Sequence, residues 1–199
     1  MKRIVIVAAI AALAMLPASA SDLLLNLGYN LQQSGLTFSR RSISFVFTSL
    51  GGDAGGFYAQ VAPYFALSSK SWEFFGSYAT NYCENDIWGG GLTFTLGYGR
   101  DFNYGQFGLL VGGGLFGSLY AQHDPYSEHL YYDLAVGIGG GAHLYFQPGK
   151  RPVGFNVGLD LAWRPLKAQG YTETRYMLGE FIEPRDFNLN FNAGITIRH

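Results

Sequence analysis

"VGFNVGLDLAW", residues 153–163, places Val153, Phe155, Val157, Leu159, Leu161 and Trp163 on the odd positions, with Gly154, Asn156, Gly158, Asp160 and Ala162 between them. A repeat of two is the period of a β-strand, whose successive side chains point to opposite faces. One face is wholly large and apolar; the other is small or polar. In a soluble sandwich or ligand-binding barrel the apolar face turns inward, whereas in a membrane barrel the alternation is inverted and the apolar face meets lipid. The rest of the chain decides between them.

Residues 1–20 read as a cleaved secretory signal peptide: Lys2 and Arg3 precede the apolar run Ile4 to Met15, and the small residues Ala18 and Ala20 form the cleavage site. The run is shorter than the ~20 residues a bilayer-spanning helix needs. Residues 21–199 then form one exported domain, with 11 Lys and Arg against 14 Asp and Glu, so no basic field points to nucleic acid. With 17% aromatics, 28 glycines and 14% charged residues, the composition suits a glycine- and tyrosine-rich β protein. A lone Cys83 excludes an internal disulfide framework and reads as an incidental thiol.

Alternating segments at 22–32, 42–50, 57–68, 87–99, 104–121, 130–146, 153–163 and 187–198 predict eight strands. Their connections alternate in kind. "GGDAGG" (51–56), "RDFN" (100–103) and "QPGKRP" (147–152) read as tight turns. Longer, charged stretches fall at 33–41, 69–86, 122–129 and 164–186. Tight turns on one rim and long loops on the other are the layout of an all-β, eight-stranded antiparallel up-and-down transmembrane β-barrel, with periplasmic turns and extracellular loops. An extra strand pair from "SWEFFGSY" (71–78) and part of the fourth loop would raise the count to ten.

Charge placement selects the sidedness. Within these segments the charges are Asp22, Asp133, Asp160 and Arg198, each opposite the large apolar set, as expected when a mid-bilayer Arg or Lys on the lipid face costs ~2–4 kcal/mol. Asn26, Asn30, Gln60, Thr93, Thr95, His143, Asn156, Asn188, Asn190 and Asn192 share that inward face, which a soluble ligand-binding barrel would need apolar. Outward aromatics fall at both expected interfaces: Tyr29, Trp88, Tyr132, Trp163 and Phe187 above, and Phe57, Tyr98, Phe107, Phe146 and Phe155 below. From Phe155 to Trp163 is ~26 Å along a strand, or ~20 Å along the normal at a tilt near 40°, close to the ~25 Å apolar band of such barrels.

The final strand, "FNLNFNAGITIRH", alternates Phe187, Leu189, Phe191, Ala193, Ile195 and Ile197 with polar or small residues. Asn192, Gly194, Ile197 and His199 resemble the C-terminal assembly signal of bacterial outer-membrane barrels, with His199 where that signal carries an aromatic. In layout the exported chain resembles the small eight-stranded barrels of the OmpX, OmpA transmembrane-domain and OmpW-like group. That resemblance implies the outer membrane of a diderm bacterium, outer-membrane lipids as surroundings, and periplasmic chaperones and the barrel-assembly machinery as partners.

An eight-stranded barrel has an interior just wide enough for side chains to fill. Tyr58, Tyr64, Tyr120, Tyr131 and Tyr145 face inward, as do Gly108, Gly112, Gly114, Gly137, Gly139 and Gly141, so rings can lie over bare backbone. Asp133, His143, Asn156, Asp160, Asn190 and Asn192 read as hydrogen-bonded lumen residues, and Asp22 with Arg198 as an ion pair across the seam where first and last strands meet. "GIGGGA" (137–142) fits a dinucleotide-binding pattern, with Asp160 about twenty residues on, but period two runs through it where a helix would have to open. His123, Asp124, Glu128 and His129 read as solvated loop charge; no metal or cofactor is expected.

The expected role is structural or surface-interactive, non-enzymatic, with the extracellular loops as the place for a surface ligand. The fourth loop carries charges of both signs with Tyr171, Tyr176 and Phe181. A narrow OmpW-like channel for ions or small hydrophobic solutes is the second reading. A lipid A-modifying enzyme is the third, disfavoured because Tyr145 stands two residues after His143 where the lipid A deacylase pattern has serine.

Overall fold

The computed structural model describes residues 20–34, 37–52, 55–68, 72–73, 89–123, 130–149, 152–171 and 187–198. Trp88, Cys83, residues 124–129 and all but Ala20 of the signal peptide lie outside these.

The alternation of large apolar with small or polar residues drives long strands: β1 (Ala20–Ser34), β2 (Thr37–Gly51), β3 (Gly55–Ser68), β4 (Trp72–Glu73), β5 (Gly89–Tyr104), β6 (Phe107–His123), β7 (Leu130–Phe146), β8 (Val153–Tyr171) and β9 (Phe187–Arg198). Each pairs antiparallel with its neighbours, and β1 pairs with both β2 and β9, so the sheet closes on itself. The two-residue β4 pairs only with Thr37 and Phe38 of β2, outside that circuit. The barrel therefore has eight staves, not ten.

Following paired residues around the wall from Leu23 through Ser49, Ala59, Leu96, Leu115, Ile138, Trp163 and Phe187 returns to β1 at Gln33, ten residues along the strand. With a ~3.3 Å rise and ~4.8 Å between strands, that stagger corresponds to a tilt of ~40°.

Phe155 is 66% exposed and Asn156 is 4% exposed. The same contrast runs along the whole opening stretch, whose apolar residues are exposed while Asn156, Asp160 and Ala162 are buried. The greasy face is thus outside and the polar face is the core. Ser49, Ala59 and Val61 share the outward parity and are nevertheless buried.

Three expected boundaries move. "RDFN" is strand, because Phe102 and Tyr104 continue the outward alternation and the reversal waits for Gly105–Gln106. Gly105 there adopts φ 78°, and its N–H donates to Asn103 Oδ1 at 3.0 Å, the positive φ that a two-residue hairpin requires. The first upper connection, expected over 33–41, shrinks to residues 35 and 36, since β1 and β2 pair as far as Ser34 and Thr37. Finally β8 runs eight residues past Trp163, although Arg164–Pro165 reads as a stop. Pro165 cannot donate to a ladder, and the strand absorbs it in a bulge opposite Gly137, between the pairs Val136–Leu166 and Ile138–Trp163. A Cβ on Gly137 would meet the Trp163 carbonyl oxygen and Pro165 Cδ, so the bulge depends on that glycine.

Candidate functional site: a polar lumen

The inward parity of every strand points its side chains at the barrel axis, and a tight barrel makes those from non-adjacent strands meet. Asp160 of β8, roughly midway between Phe155 and Trp163, lies at the centre of this packing. Its Oδ1 accepts from Gln60 Nε2 of β3 at 2.9 Å and stands 3.2 Å from His143 Nε2 of β7. Its Oδ2 accepts from Asn190 Nδ2 at 3.0 Å and Asn192 Nδ2 at 2.7 Å, both on β9. A buried carboxylate is tolerable when its lone pairs are filled in this way.

The contacts continue outward from that centre. Gln60 Nε2 also donates to Thr48 Oγ1 at 3.2 Å, and Ser44 Oγ to Asn190 Oδ1 at 3.1 Å. Asn26 Nδ2 donates to Asn156 Oδ1 at 2.7 Å and to Asn192 Oδ1 at 2.5 Å, so side chains tie β1 to its ladder partner β9 and also to β8, with which it shares no ladder. Bare backbone makes room for this layer. A Cβ at Gly158 would collide with His143 Nδ1 and Asn192 Oδ1, and one at Gly112 would collide with the Tyr58 ring. His143, Tyr58 and Tyr64 are fully or almost fully buried as a result.

A second cluster closes the periplasmic end. Arg198 Nε donates to Asp22 Oδ1, Nη1 to Tyr145 OH and Nη2 to Asp101 Oδ2, each at 2.7 Å. Tyr145 OH in turn donates to Asp101, 2.8 Å from Oδ1, and its ring lies 5.1 Å beneath the guanidinium carbon. The seam pair is therefore part of a quartet joining β1, β5, β7 and β9. The Arg198 side chain is 18% exposed, those of Asp22 and Asp101 3% and 0%, so the cluster is largely desolvated. Arg198→Met leaves two buried carboxylates facing each other and is expected to cost about 2 kcal/mol, against about 1 kcal/mol for Asp22→Asn or Asp101→Asn alone. Urea titration of the refolded barrel in lipid vesicles checks the order.

Toward the other end the Tyr64 and Tyr120 rings stack at 6.1 Å with 4° between planes. Asp133 is buried in register with Tyr120, ten residues and ~33 Å along β7 from His143. The structure thus brings His143 and Asp160 together and leaves Asp133 in a separate layer. Arg164, 1% exposed, is the largest fully buried side chain described.

Arg164 and Asp101 escaped the sequence reading because both lie just beyond a strand end set at a turn-like tetrad or an Arg-Pro pair. Continuing the parity of Asp160 and Ala162 by one more step would have placed Arg164 inward. Of the interface aromatics, Tyr29, Tyr98, Phe155 and Trp163 are exposed on the outer wall and Tyr132 is half-buried.

A void of about 10 Å³ is lined by Asn30, Gln60, Thr93, Asp160, Asn188 and Asn190 among others. That is space for about one water molecule and none for a hydrated ion. On the outer wall, glycine backbone at positions 114 and 139 forms the floor of an open apolar groove beside Ile138, Leu161 and Trp163. No metal-ligating group of three or more His, Cys, Asp or Glu occurs among the described residues.

No family model matches the chain, and no curated protein matches it in sequence. Among solved structures it is similar to Neisserial surface protein A, at 9% identity over 89% of this chain and 96% of that one, with a TM-score of 0.56. It is also similar to a major outer membrane protein from Thermus thermophilus, at 12% identity over 89% of this chain and 99% of that one, with a TM-score of 0.48. The first likeness is one of fold. Together with the closed sheet and its apolar exterior, it gives this chain the fold of an eight-stranded outer-membrane barrel.

Proposed function

We propose that the exported chain, residues 21–199 after removal of its signal peptide, resides in the outer membrane as a sealed barrel that acts through its extracellular face. The observation that carries this reading is the packing of polar side chains across the lumen at the level of Asp160. Asp160 and its amide and imidazole partners come from four staves, and the void beside them measures about 10 Å³. Transport needs a continuous file of water or a dewetted path, and neither fits through hydrogen-bonded side chains at packed density. The lumen then serves as core, and recognition falls to the extracellular loops, as is usual for binding on a rigid scaffold. Its surroundings are outer-membrane lipids, and its assembly uses periplasmic chaperones and the barrel-insertion machinery.

A catalytic role is not part of this proposal, because Asp160 is taken up by amides from β3 and β9 inside the wall and the imidazole 3.2 Å from it is fully buried. Planar-bilayer recording of the refolded protein tests the reading directly. The expected result is a silent membrane at protein levels that yield fully folded barrels by gel migration. Reproducible unitary currents would overturn the seal and support the conduit for ions or small hydrophobic solutes instead.

A further inference from the structure

The void beside Asp160 has a mixed lining, with Ala62, Phe116 and Leu161 beside its amides and hydroxyls. Asn30 and Asn188, 2% and 6% exposed, both border it, and the Oδ1 atom of each is buried with no hydrogen-bond donor. The amide donors nearby are already committed: Gln60 Nε2 to Thr48 and Asp160, and Asn190 Nδ2 to Asp160. Thr93 Oγ1 donates to the Ala62 carbonyl at 3.4 Å. Asn30 Oδ1 and Asn188 Oδ1 are thus acceptors of this lining that no neighbouring donor reaches. A buried carbonyl without a donor costs roughly 1–3 kcal/mol, so two of them beside one small space define a demand for two hydrogens.

We propose that this void is a binding site for a single structural water that donates to Asn30 Oδ1 and Asn188 Oδ1. The volume matches one water, the lining offers the two to four polar partners such a water needs, and a molecule with two O–H groups meets both orphaned acceptors at once. Sodium is the competing guest for an oxygen-lined site. It is the weaker fit because the Asp160 carboxylate, the formal negative charge in the lining, already takes three amide donors and the close approach of His143.

This deepens the sealed-lumen reading and rests on it, yet the two fail separately: unitary currents break the seal, whereas a dry void leaves it intact. The test is a crystal structure of the refolded barrel grown without sodium salts. The expected result is one density peak ~2.7–3.2 Å from both oxygens. Two results would overturn the proposal: no density, or a site filled only on adding sodium, with a thermal midpoint that falls when choline replaces it. Magnetic relaxation dispersion of water oxygen gives a second measure. Wild type is expected to show one long-lived water that Asn30→Leu/Asn188→Leu lacks, with the heat-modifiable gel shift of a folded barrel retained. If that variant fails to fold, the wild-type signal alone decides.

Discussion

Asp160→Ala is expected to lower the unfolding free energy of the barrel by ~3–5 kcal/mol, since each buried donor left without an acceptor costs roughly 1–3 kcal/mol and three are left. The reason is what it strands. Gln60, Asn190 and Asn192 each aim an N–H at this carboxylate, and His143 stands 3.2 Å from it. With the acceptor gone, these donors remain beside a void about one water in size, so rehydration relieves few of them. Asp160→Asn keeps the volume but puts an N–H₂ against at least one existing donor, so it is expected to fall between wild type and alanine, at about 1–3 kcal/mol. Reversible urea unfolding in lipid vesicles, followed by tryptophan fluorescence, measures both. An alanine variant within about 1 kcal/mol of wild type would mean that the network decorates the core without holding it.

The sidedness of the wall was legible because it rests on local facts. Along 153–163 the period of two is unbroken, and a bilayer forces polar groups to the opposite side from the one water would choose. The inward asparagines of β9 were legible for the same reason. The partners of Asp160 were not, because Gln60 is 100 residues away and reaches it only once the ten-residue stagger has rotated β3 and β8 into facing positions. Parity names a face; shear names the neighbour. The role of Asp101 was hidden behind its turn-like neighbours: Arg-Asp-Phe-Asn has the composition of a reversal, yet the one residue able to supply a positive φ cheaply is Gly105. Arg164 was hidden by Pro165, whose missing N–H signals a strand end unless a bulge is available, and here a glycine on the neighbouring strand makes one available. The asymmetry is physical. Period and polarity are carried by adjacent residues, whereas register breaks and cross-lumen contacts depend on which residue lies opposite.

A charged substitution series along β8 is expected to read out the membrane itself. Leu159→Arg, on the outer wall near the bilayer centre, is expected to cost ~2–4 kcal/mol, whereas Val153→Arg at the periplasmic end is expected to cost ~0–1 kcal/mol. The two sites have nearly equal fractional exposure, 44% and 47%, so depth in hydrocarbon is the main difference between them. The mechanism also fixes how the result must respond to conditions. In vesicles of shorter acyl chains the guanidinium at position 159 reaches the interface more easily, and its penalty is expected to shrink, while the Val153→Arg value stays near zero. A water-soluble barrel has no reason to show either trend, because an arginine on its exterior would be solvated at every height. Equal costs at both positions, unaffected by chain length, would mean that the exposed face of Phe155, Val157, Leu159 and Leu161 does not contact lipid, and the sealed core would then have to be reinterpreted without a bilayer around it.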